Sequence, residues 1–278
     1  MKPLSSPIGV FDSGYGGLTI LRELRKRLPQ YDYLYLGDNA RTPYGTRSYR
    51  VVYEYTLQCV KFLFESNCPL VILACNTASA KALRTIQQKD LPLIAPERRV
   101  LGVIRPCVEK VRDVSVNGRV GVLGTPGTVA SLSYPMELEK WGEGKIVSTV
   151  QEACPMWVPL VENNELENPG TDYFVGVNIR SILEKDPRLD TLILGCTHYP
   201  LLMNVIRNHV PESILIIDQG PVVAEKLEDY LCRHTDMETR ISQGSSATYL
   251  TTETSEIFEA KAGLFTGYNM QAETVQIH

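Results

Sequence analysis

One pattern indicates the fold and occurs twice, as LVILACNTA at residues 70–78 and as TLILGCTHY at residues 191–199. In both copies an apolar run of strand-forming residues ends at a cysteine, Cys75 or Cys196, which small polar residues follow. Short apolar runs of this kind are typical of buried parallel strands. We therefore predict that each cysteine lies at the carboxyl end of a strand.

A second pair of similar segments supports a duplication. IGVFDSGYGGLT begins at Ile8, VGVLGTPGTVAS begins at Val120, and each pattern predicts a strand that turns through glycines into a helix. The two pairs of segments have similar separations along the chain. Because internal repeats reveal architecture, we predict two pseudosymmetric halves that contribute one cysteine each.

Further apolar runs alternate with helical patterns. The predicted strands are residues 8–11, 33–36, 70–74, 120–123, 146–150, 192–194 and 214–217. Residues 17–28 place leucines on one helical face before Pro29 ends the pattern. This alternation predicts an α/β fold in which each half is a mostly parallel sheet flanked by helices. Ligands of such sheets bind beyond the carboxyl ends of the strands, so we expect the active site in the cleft between the halves.

Composition narrows the class of protein. The chain has 278 residues, a length that suits two domains, and its 44% hydrophobic content is ordinary for a globular protein. A formal net charge of −4 without a long basic run argues against nucleic acid as a partner, so we expect a small-molecule substrate. Residues 1–7 contain no apolar leader, and no apolar run approaches the roughly 20 residues that span a bilayer. We expect a cytoplasmic protein without a membrane segment.

The seven cysteines read as reduced thiols, because their number is odd and no C-x-x-C pair suggests a metal site. A free cysteine is most often a small buried hydrophobic residue, and five of them keep that interpretation. The matched strand-end positions of Cys75 and Cys196 favour contact with a ligand.

Five motifs occur in order along the chain. They are FDSGYGGLT at residues 11–19, GDNARTPYG at 37–45, ACNTAS at 74–79, VPLVE at 158–162 and LGCTHYPLL at 194–202. These motifs resemble those of the glutamate racemases, a family of the aspartate/glutamate racemase superfamily, and the resemblance extends from residue 8 to about residue 230. It implies a cofactor-independent interconversion of L- and D-glutamate that supplies D-glutamate for peptidoglycan synthesis. A homodimer is expected by analogy with the family.

The resemblance also implies a second domain inserted within the first. The corresponding division assigns residues 1–104 and 210–278 to the first domain, with Asp12 and Cys75 on its wall of the cleft. Residues 105–209 form the second domain, which carries Cys196 on the opposite wall.

Catalytic roles follow from the resemblance as well. Cys75 and Cys196 match the acid/base cysteines of the family, and inversion at Cα needs a proton removed from one face and returned to the other. Asp12 is placed beside Cys75, whereas Glu162 and His198 are placed beside Cys196. Each helper has an alternative: Asp12 as a helix cap, His198 as a structural imidazole and Glu162 as part of a solvated acidic loop.

The substrate-binding positions that the resemblance implies carry hydroxyl, amide, carboxyl and imidazole groups or backbone N–H groups. They are Asp12, Ser13, Tyr44, Gly45, Asn76, Thr77, Thr197 and His198. Helix capping is the alternative for Ser13, Asn76 and Thr197, and an ordinary turn is the alternative for Tyr44 and Gly45. In the same loop, Asp38 and Arg41 are expected to form an ion pair.

No cofactor and no metal are predicted. The glycines between residues 14 and 17 lack the G-x-G-x-x-G spacing of a dinucleotide loop, and no lysine stands in a context that marks a Schiff-base anchor. Residues 90–105 are charged and proline-rich, and we expect a solvated loop there. In the tail, residues 245–252 favour a strand and 255–263 a helix, and both are assigned to the first domain.

Three other functions stay open. The first is a related activity of the same superfamily, such as racemisation of aspartate or another small acid. The second is a thiol hydrolase with Cys196 as nucleophile and His198 as base. The third is a metabolite-sensing or protein-inhibiting module without catalysis.

Overall fold

The strands form two parallel sheets in the computed structural model, which describes residues 6–277. Residues 1–5 of the predicted first domain and residue 278 therefore lie outside the described part. The strands are β1 (Ile8–Asp12), β2 (Tyr33–Gly37), β3 (Leu70–Leu73), β4 (Arg99–Gly102), β5 (Arg119–Gly124), β6 (Ser148–Ala153), β7 (Thr191–Gly195), β8 (Leu215–Ile217), β9 (Ala247–Thr251) and β10 (Glu273–Thr274).

Helices connect the strands. They are α1 (Gly17–Arg27), α2 (Tyr49–Glu65), α3 (Asn76–Lys81), α4 (Leu83–Thr85), α5 (Leu91–Ile94), α6 (Ile104–Val114), α7 (Pro126–Ala130), α8 (Ser133–Trp141), α9 (Trp157–Glu162), α10 (Pro169–Lys185), α11 (Met203–His209), α12 (Gln219–Arg233), α13 (Thr235–Glu238) and α14 (Ser255–Thr266). Short 3-10 turns occur at Asn39–Arg41 and Tyr199–Leu202, and a π-helical turn occurs at Ile86–Asp90. Between residues 6 and 277, no helix combines the length and apolarity that crossing a bilayer would require.

The two sheets repeat one topology. The first has the order β10-β9-β2-β1-β3-β4 and the second has the order β6-β5-β7-β8, with parallel pairing throughout. Strand β5 thus takes the place of β1, and β7 takes the place of β3. All residues of β1, β3 and β7 are buried, which explains why these strands read as continuous apolar runs. The predicted α/β class with two pseudosymmetric halves is confirmed.

The loop predicted at residues 90–105 is wrong. This segment contains α5 and then β4, which pairs with β3 and forms the edge of the first sheet. Strand β4 gives a weak apolar signal, because Val100 is its only fully buried residue and charged residues precede it. One of these, Arg98, turns inward to donate to the Cys68 carbonyl at 3.1 Å and to lie over the Phe64 ring. One of the charges that suggested a solvated loop therefore anchors the start of an edge strand.

The second sheet extends beyond residue 209, the predicted end of the second domain, because Leu215–Ile217 pairs with β7. After α12 the chain returns to the first sheet, because β9 pairs with β2. The strand and the helix expected in the tail are present as β9 and α14. The predicted strand at residues 146–150 is shifted, since β6 runs from Ser148 to Ala153.

Candidate active site

The two matched cysteines lie at equivalent places in the two sheets. Cys196 directly follows β7, Cys75 lies two residues after the end of β3, and each residue is only 6% exposed. The neighbouring strands β1 and β5 end at Asp12 and Gly124. Because parallel strands present their carboxyl ends at one edge, each cysteine shares its edge with the turn that follows β1 or β5.

Cys75 lies in an environment of hydroxyl and backbone groups. Its Sγ accepts a hydrogen bond from the Ala78 backbone N–H at 3.4 Å, so the thiol itself caps α3. The Ser13 hydroxyl lies 3.4 Å from the same sulfur. Burial, together with the nearby Asp12 carboxylate, raises the pKa of the Cys75 thiol to about 12, although the hydrogen bonds from Ser13 and Ala78 lower it. At neutral pH the free protein therefore favours Cys75 as a thiol.

Asp12 is buried at the end of β1, and the backbone N–H groups of Gly17 and Gly14 both act on its carboxyl group to lower its pKa. Helix α1 begins at Gly17, and the residue before it, Gly16, supplies no side-chain cap. One Asp12 oxygen accepts the Gly14 N–H at 3.0 Å, and the other, Oδ1, has no hydrogen-bond partner among the described residues. Burial raises the pKa of Asp12, while the charge of His198 lowers it. A buried, half-satisfied carboxyl group of this kind is costly in a purely structural role.

Cys196 has a different neighbour, the imidazole of His198. The Cys196 Sγ lies 3.8 Å from His198 Nδ1, and His198 Nε2 lies 3.0 Å from Glu162 Oε1. Burial alone would lower the pKa of His198, but the hydrogen bonds to Cys196 and Glu162 raise it to about 10. The imidazole is therefore a cation at neutral pH, and a cation at this distance stabilises a thiolate.

Glu162 reaches this site because it is the last residue of α9. The acidic stretch that continues with Glu165 and Glu167 lies beyond the helix. Glu162 is thus separated from the solvated acidic loop that was its alternative interpretation. The edge of the aromatic ring of Phe265, from α14, packs on His198 with ring centroids 5.2 Å apart. Glu162 and Phe265 together restrict the orientation of the imidazole.

The turn after β1 touches the Cys196 wall directly. A Cβ atom on Gly16 would lie 2.5 Å from His198 Nδ1 and would also collide with Thr197. The Thr19 hydroxyl donates to the Thr197 carbonyl at 3.0 Å. Glycine at position 16 thus allows a close approach of the two halves that no other residue would permit.

A second contact between the halves is a cluster of three hydroxyl groups. Thr77 Oγ1 lies 3.0 Å from Thr125 Oγ1 and 3.3 Å from Thr128 Oγ1, and Thr125 and Thr128 lie 3.0 Å apart. All three side chains are buried. The cluster offers several hydrogen-bond donors and acceptors between the sheets, which suits the recognition of carboxylates.

Comparison with known proteins assigns this arrangement to a family. The Asp/Glu/hydantoin racemase family model matches residues 18–227. The chain belongs to that family. The glutamate racemase of Persephonella marina is 38% identical over 271 residues, which are 97% of either chain. The glutamate racemase of Streptococcus gordonii is 36% identical and matches over 98% of either chain. The resemblance expected from the five motifs is confirmed, and the chain is an enzyme of the isomerase class.

Solved structures of family members share the whole architecture. Glutamate racemase RacE1 of Bacillus anthracis matches with a TM-score of 0.88 and 32% identity, over 98% of both chains. The Francisella tularensis glutamate racemase, solved in complex with D-glutamate, matches with a TM-score of 0.84 and 30% identity, again over 98% of both chains. Picrophilus torridus aspartate racemase, at 17% identity and a TM-score of 0.52, shares the fold.

Two of the expected ligand-binding side chains of this racemase are engaged elsewhere. The Tyr44 hydroxyl donates to Asp38, which also binds Arg41 as expected, and the phenol ring is buried. The Asn76 amide hydrogen-bonds Gln219 and Tyr134. At these two positions, backbone groups are the part left to face a ligand. Gly45, next to Tyr44, already uses its carbonyl to accept the Gly127 N–H at 2.7 Å, which ties its loop to the opposite half.

The racemase site also contains residues that the sequence reasoning did not select. These are Thr125 and Thr128, which lie in the turn after β5 and at the start of α7. The repeat held a signal for one of them, because aligning residues 8–19 with residues 120–131 places Thr125 opposite Ser13. Across residues 6–277, no group of three or more His, Cys, Asp or Glu side chains could hold a metal ion.

Proposed function

We propose that this racemase interconverts L-glutamate and D-glutamate without a cofactor, and that Cys75 and Cys196 act on opposite faces of Cα. The observation that carries the proposal is the pair of buried thiols at equivalent strand ends of two sheets. The substrate is supported by the full-length similarity to proteins named glutamate racemase, one of which was solved with D-glutamate.

The chemistry requires one thiolate and one thiol. The thiolate takes the Cα proton, and the electron pair of the broken C–H bond stays on the substrate as a carbanion that the α-carboxylate delocalises. The opposite thiol gives its proton to the other face of Cα and becomes the new thiolate. Nothing is oxidised or reduced, and each inversion exchanges the protonation states of Cys75 and Cys196. We assign the helper roles to Asp12 on the Cys75 side and to His198 and Glu162 on the Cys196 side.

Electrostatics favour one starting state. The imidazole of His198, whose pKa is raised to about 10, lies 3.8 Å from the Cys196 sulfur, whereas burial and Asp12 hold Cys75 as a thiol. The free enzyme is then ready for the enantiomer whose Cα–H faces Cys196. The other enantiomer requires an ionised Cys75, whose thiolate is stabilised by the Ser13 hydroxyl and the Ala78 N–H.

Substrate anchoring is assigned to groups that surround the thiols. We propose that hydroxyls, backbone groups and two helper side chains bind the carboxylates and the amino group, and that these belong to Asp12, Ser13, Tyr44, Gly45, Asn76, Thr77, Thr197 and His198. Thr125 and Thr128 join Thr77 in the same cluster. A turnover of about 10 per second corresponds to a barrier of roughly 16 kcal/mol. A carbanion needs dense hydrogen bonding in a site shielded from water to reach such a barrier.

Several wider assignments belong to the same proposal. The product D-glutamate would supply peptidoglycan synthesis in the cytoplasm, and the protein would act as a homodimer. The two sheets would mark two domains, with the first formed by both ends of the chain and the second extending through β8. Aspartate or another small acid is the alternative substrate, because the two-thiol chemistry depends only on the Cα proton.

The arrangement of Cys196, His198 and Glu162 supports one competing reaction. A nucleophile, a base and a carboxylate in this order could serve a thiol hydrolase, which would form an acyl-enzyme at Cys196. Such a hydrolase would have no use for Cys75. Mass spectrometry of the protein during turnover would detect the acyl group.

Deuterium exchange tests the proposed function. Purified full-length protein, treated with a chelator and without added cofactor, is incubated in deuterium oxide with each enantiomer of glutamate and, in parallel, of aspartate. We expect the circular dichroism of glutamate to decay to zero while each inverted molecule gains one deuterium at Cα. Absence of exchange with both glutamate enantiomers would refute the proposal. Faster reaction with aspartate than with glutamate would make aspartate the preferred substrate. A requirement for added pyridoxal phosphate or metal would refute cofactor independence.

A further inference from the structure

Tyr134 of α8 bridges the two turns that carry the thiols. Its side chain is completely buried, and its hydroxyl donates to Asn76 Oδ1 at 2.7 Å. Its ring lies against Gly195, where an added Cβ would be 3.2 Å from Tyr134 Cε2. Asn76 directly follows Cys75, and Gly195 directly precedes Cys196. One rigid side chain is therefore in contact with the neighbour of each cysteine.

Gln219, the first residue of α12, completes the contact. Its Oε1 accepts from Asn76 Nδ2 at 2.5 Å, and its Nε2 donates to Asn76 Oδ1 at 3.0 Å and to the Tyr134 hydroxyl. Asn76 and Gln219 are 3% and 1% exposed, so water cannot easily replace these bonds. Leaving buried polar groups unpaired is costly. The three groups, from α3, α8 and α12, are satisfied together only when these segments keep one relative position.

The ring of Tyr134 is itself held in the second half. It belongs to a buried cluster with Val120 and Val122 of β5 and Ile193 of β7. The hydroxyl thus extends from the core of the second sheet to a residue at the start of α3, in the first half. A phenol has few rotatable bonds, so it transmits position better than a flexible side chain would.

We propose that Tyr134 and Gln219 are positioning residues that fix the distance between Cys75 and Cys196. This inference rests on the proposed two-cysteine reaction. Inversion needs both sulfurs within reach of one carbon, and small misplacements of reacting groups lower rates steeply. When the distance between the two sulfurs is no longer fixed, one thiolate still removes the Cα proton, but proton donation by the thiol on the other face slows. The captured proton then has time to exchange with solvent before it returns to the same face.

The test is Tyr134→Phe, assayed in deuterium oxide with L-glutamate and with D-glutamate. Phenylalanine keeps the ring against Gly195 and removes only the hydroxyl. We expect kcat to fall about tenfold with KM changed by less than about twofold. We also expect more deuterium in the unreacted substrate for each inversion event. A loss of folded protein lowers kcat without changing that ratio, so the ratio separates positioning from stability.

The matched control is Tyr33→Phe. Tyr33 is also buried, and its hydroxyl donates to the Leu28 carbonyl at 2.9 Å within the core of the first half. We expect this variant to keep the wild-type kcat and the wild-type exchange ratio. Gln219→Met removes the amide pair at similar volume and should reproduce the Tyr134→Phe behaviour.

The outcomes distinguish this inference from the proposed function. A wild-type protein that does not racemise glutamate refutes the function itself. An active wild type, with a kcat and an exchange ratio for Tyr134→Phe that match those of Tyr33→Phe, overturns only the positioning role. If Gln219→Met alone retains the wild-type ratio, Gln219 is removed from the proposal.

Discussion

The two walls of the cleft share a backbone plan but differ in chemistry. Cys75 follows β3 and Cys196 follows β7, at equivalent places in two sheets of the same order. Two residues after the cysteine, the first wall has Thr77 and the second has His198. At the ends of β1 and β5, the ionisable side chain lies on the other wall, since the first half has Asp12 where the second has Gly124.

This difference between the walls matters for the proposed inversion at Cα. In the proposed reaction, the shared backbone supplies two sulfurs, one for each face of Cα. The neighbours differ: the imidazole of His198 lies next to Cys196, whereas burial and the Asp12 carboxyl group raise the pKa of Cys75. Two identical neighbouring thiols could also hold one thiolate between them, because the first ionisation opposes the second, but neither sulfur would be the preferred thiolate.

Replacing either cysteine should produce the largest effect. We expect Cys75→Ser and Cys196→Ser each to lower kcat for racemisation by about a thousandfold or more, because a hydroxyl is a far weaker acid than a thiol. Each variant retains one base on one face. Each should therefore exchange the Cα proton of one enantiomer only, and the two variants should select opposite enantiomers. NMR of both enantiomers in deuterium oxide measures this selection.

Cys68→Ser is the matched control, because Cys68 is a buried cysteine in the core of the first half and lies outside the site. It should keep both the rate and the exchange pattern of the wild type. Full activity in either active-site variant would remove that cysteine from the mechanism. Exchange of both enantiomers by one variant would show that the two walls do not act on separate faces.

Much of the fold could be predicted because the repeated strands are buried. Continuous apolar runs such as Leu70–Leu73 and Thr191–Gly195 carry their own signal. Edge strands carry a weaker apolar signal, because each pairs with another strand on one side only. For this reason the sequence predicts a loop where β4 lies and a strand that starts too early for β6, while β10, only two residues long, carries no signal. The equivalence of β4 and β8 in the repeated topology could have revealed β4.

The site could be predicted in its residues but only partly in its contacts. The motifs selected Glu162 and His198, and the structure brings them within 3.0 Å of each other. Motifs do not show which atom faces a ligand, so the engagement of the Tyr44 hydroxyl by Asp38 could not be seen. Long-range contacts such as the one between Asn76 and Gln219, which are 143 positions apart, also leave no local pattern in the sequence.

We expect the residues that assist the two cysteines to contribute unequally to kcat. We expect His198→Gln to lower kcat by about a hundredfold, because it removes the cation that supports the Cys196 thiolate. Ser13→Ala on the other wall removes one of the two hydrogen bonds to the Cys75 sulfur, worth about 1 kcal/mol, and should lower kcat only about fivefold. Steady-state kinetics in both directions, with circular dichroism to verify folding, measures the contrast. Equal losses would mean that the walls are functionally symmetric.

The smallest expected effect is on stability. The pKa of His198 is raised from its ordinary 6.5 to about 10, so the folded protein holds this proton more tightly than the unfolded chain does. The resulting stabilisation is fully present below pH 6.5 and is lost as the pH rises through about 10. The free energy of unfolding should then fall with pH by up to about 1 kcal/mol per unit, and this slope should be weaker in His198→Gln.

Urea unfolding at several pH values between 6.5 and 7.5 measures the two slopes, and this window lies about one unit below the pKa of unfolded thiols near 8.5. Glu162→Gln should give an intermediate slope, because it removes the carboxylate that helps to raise the pKa of His198 but leaves the contact with Cys196. Parallel curves for the wild type and His198→Gln would mean that the imidazole is neutral in the folded protein. The Cys196 wall would then lack the cation that distinguishes it from the Cys75 wall.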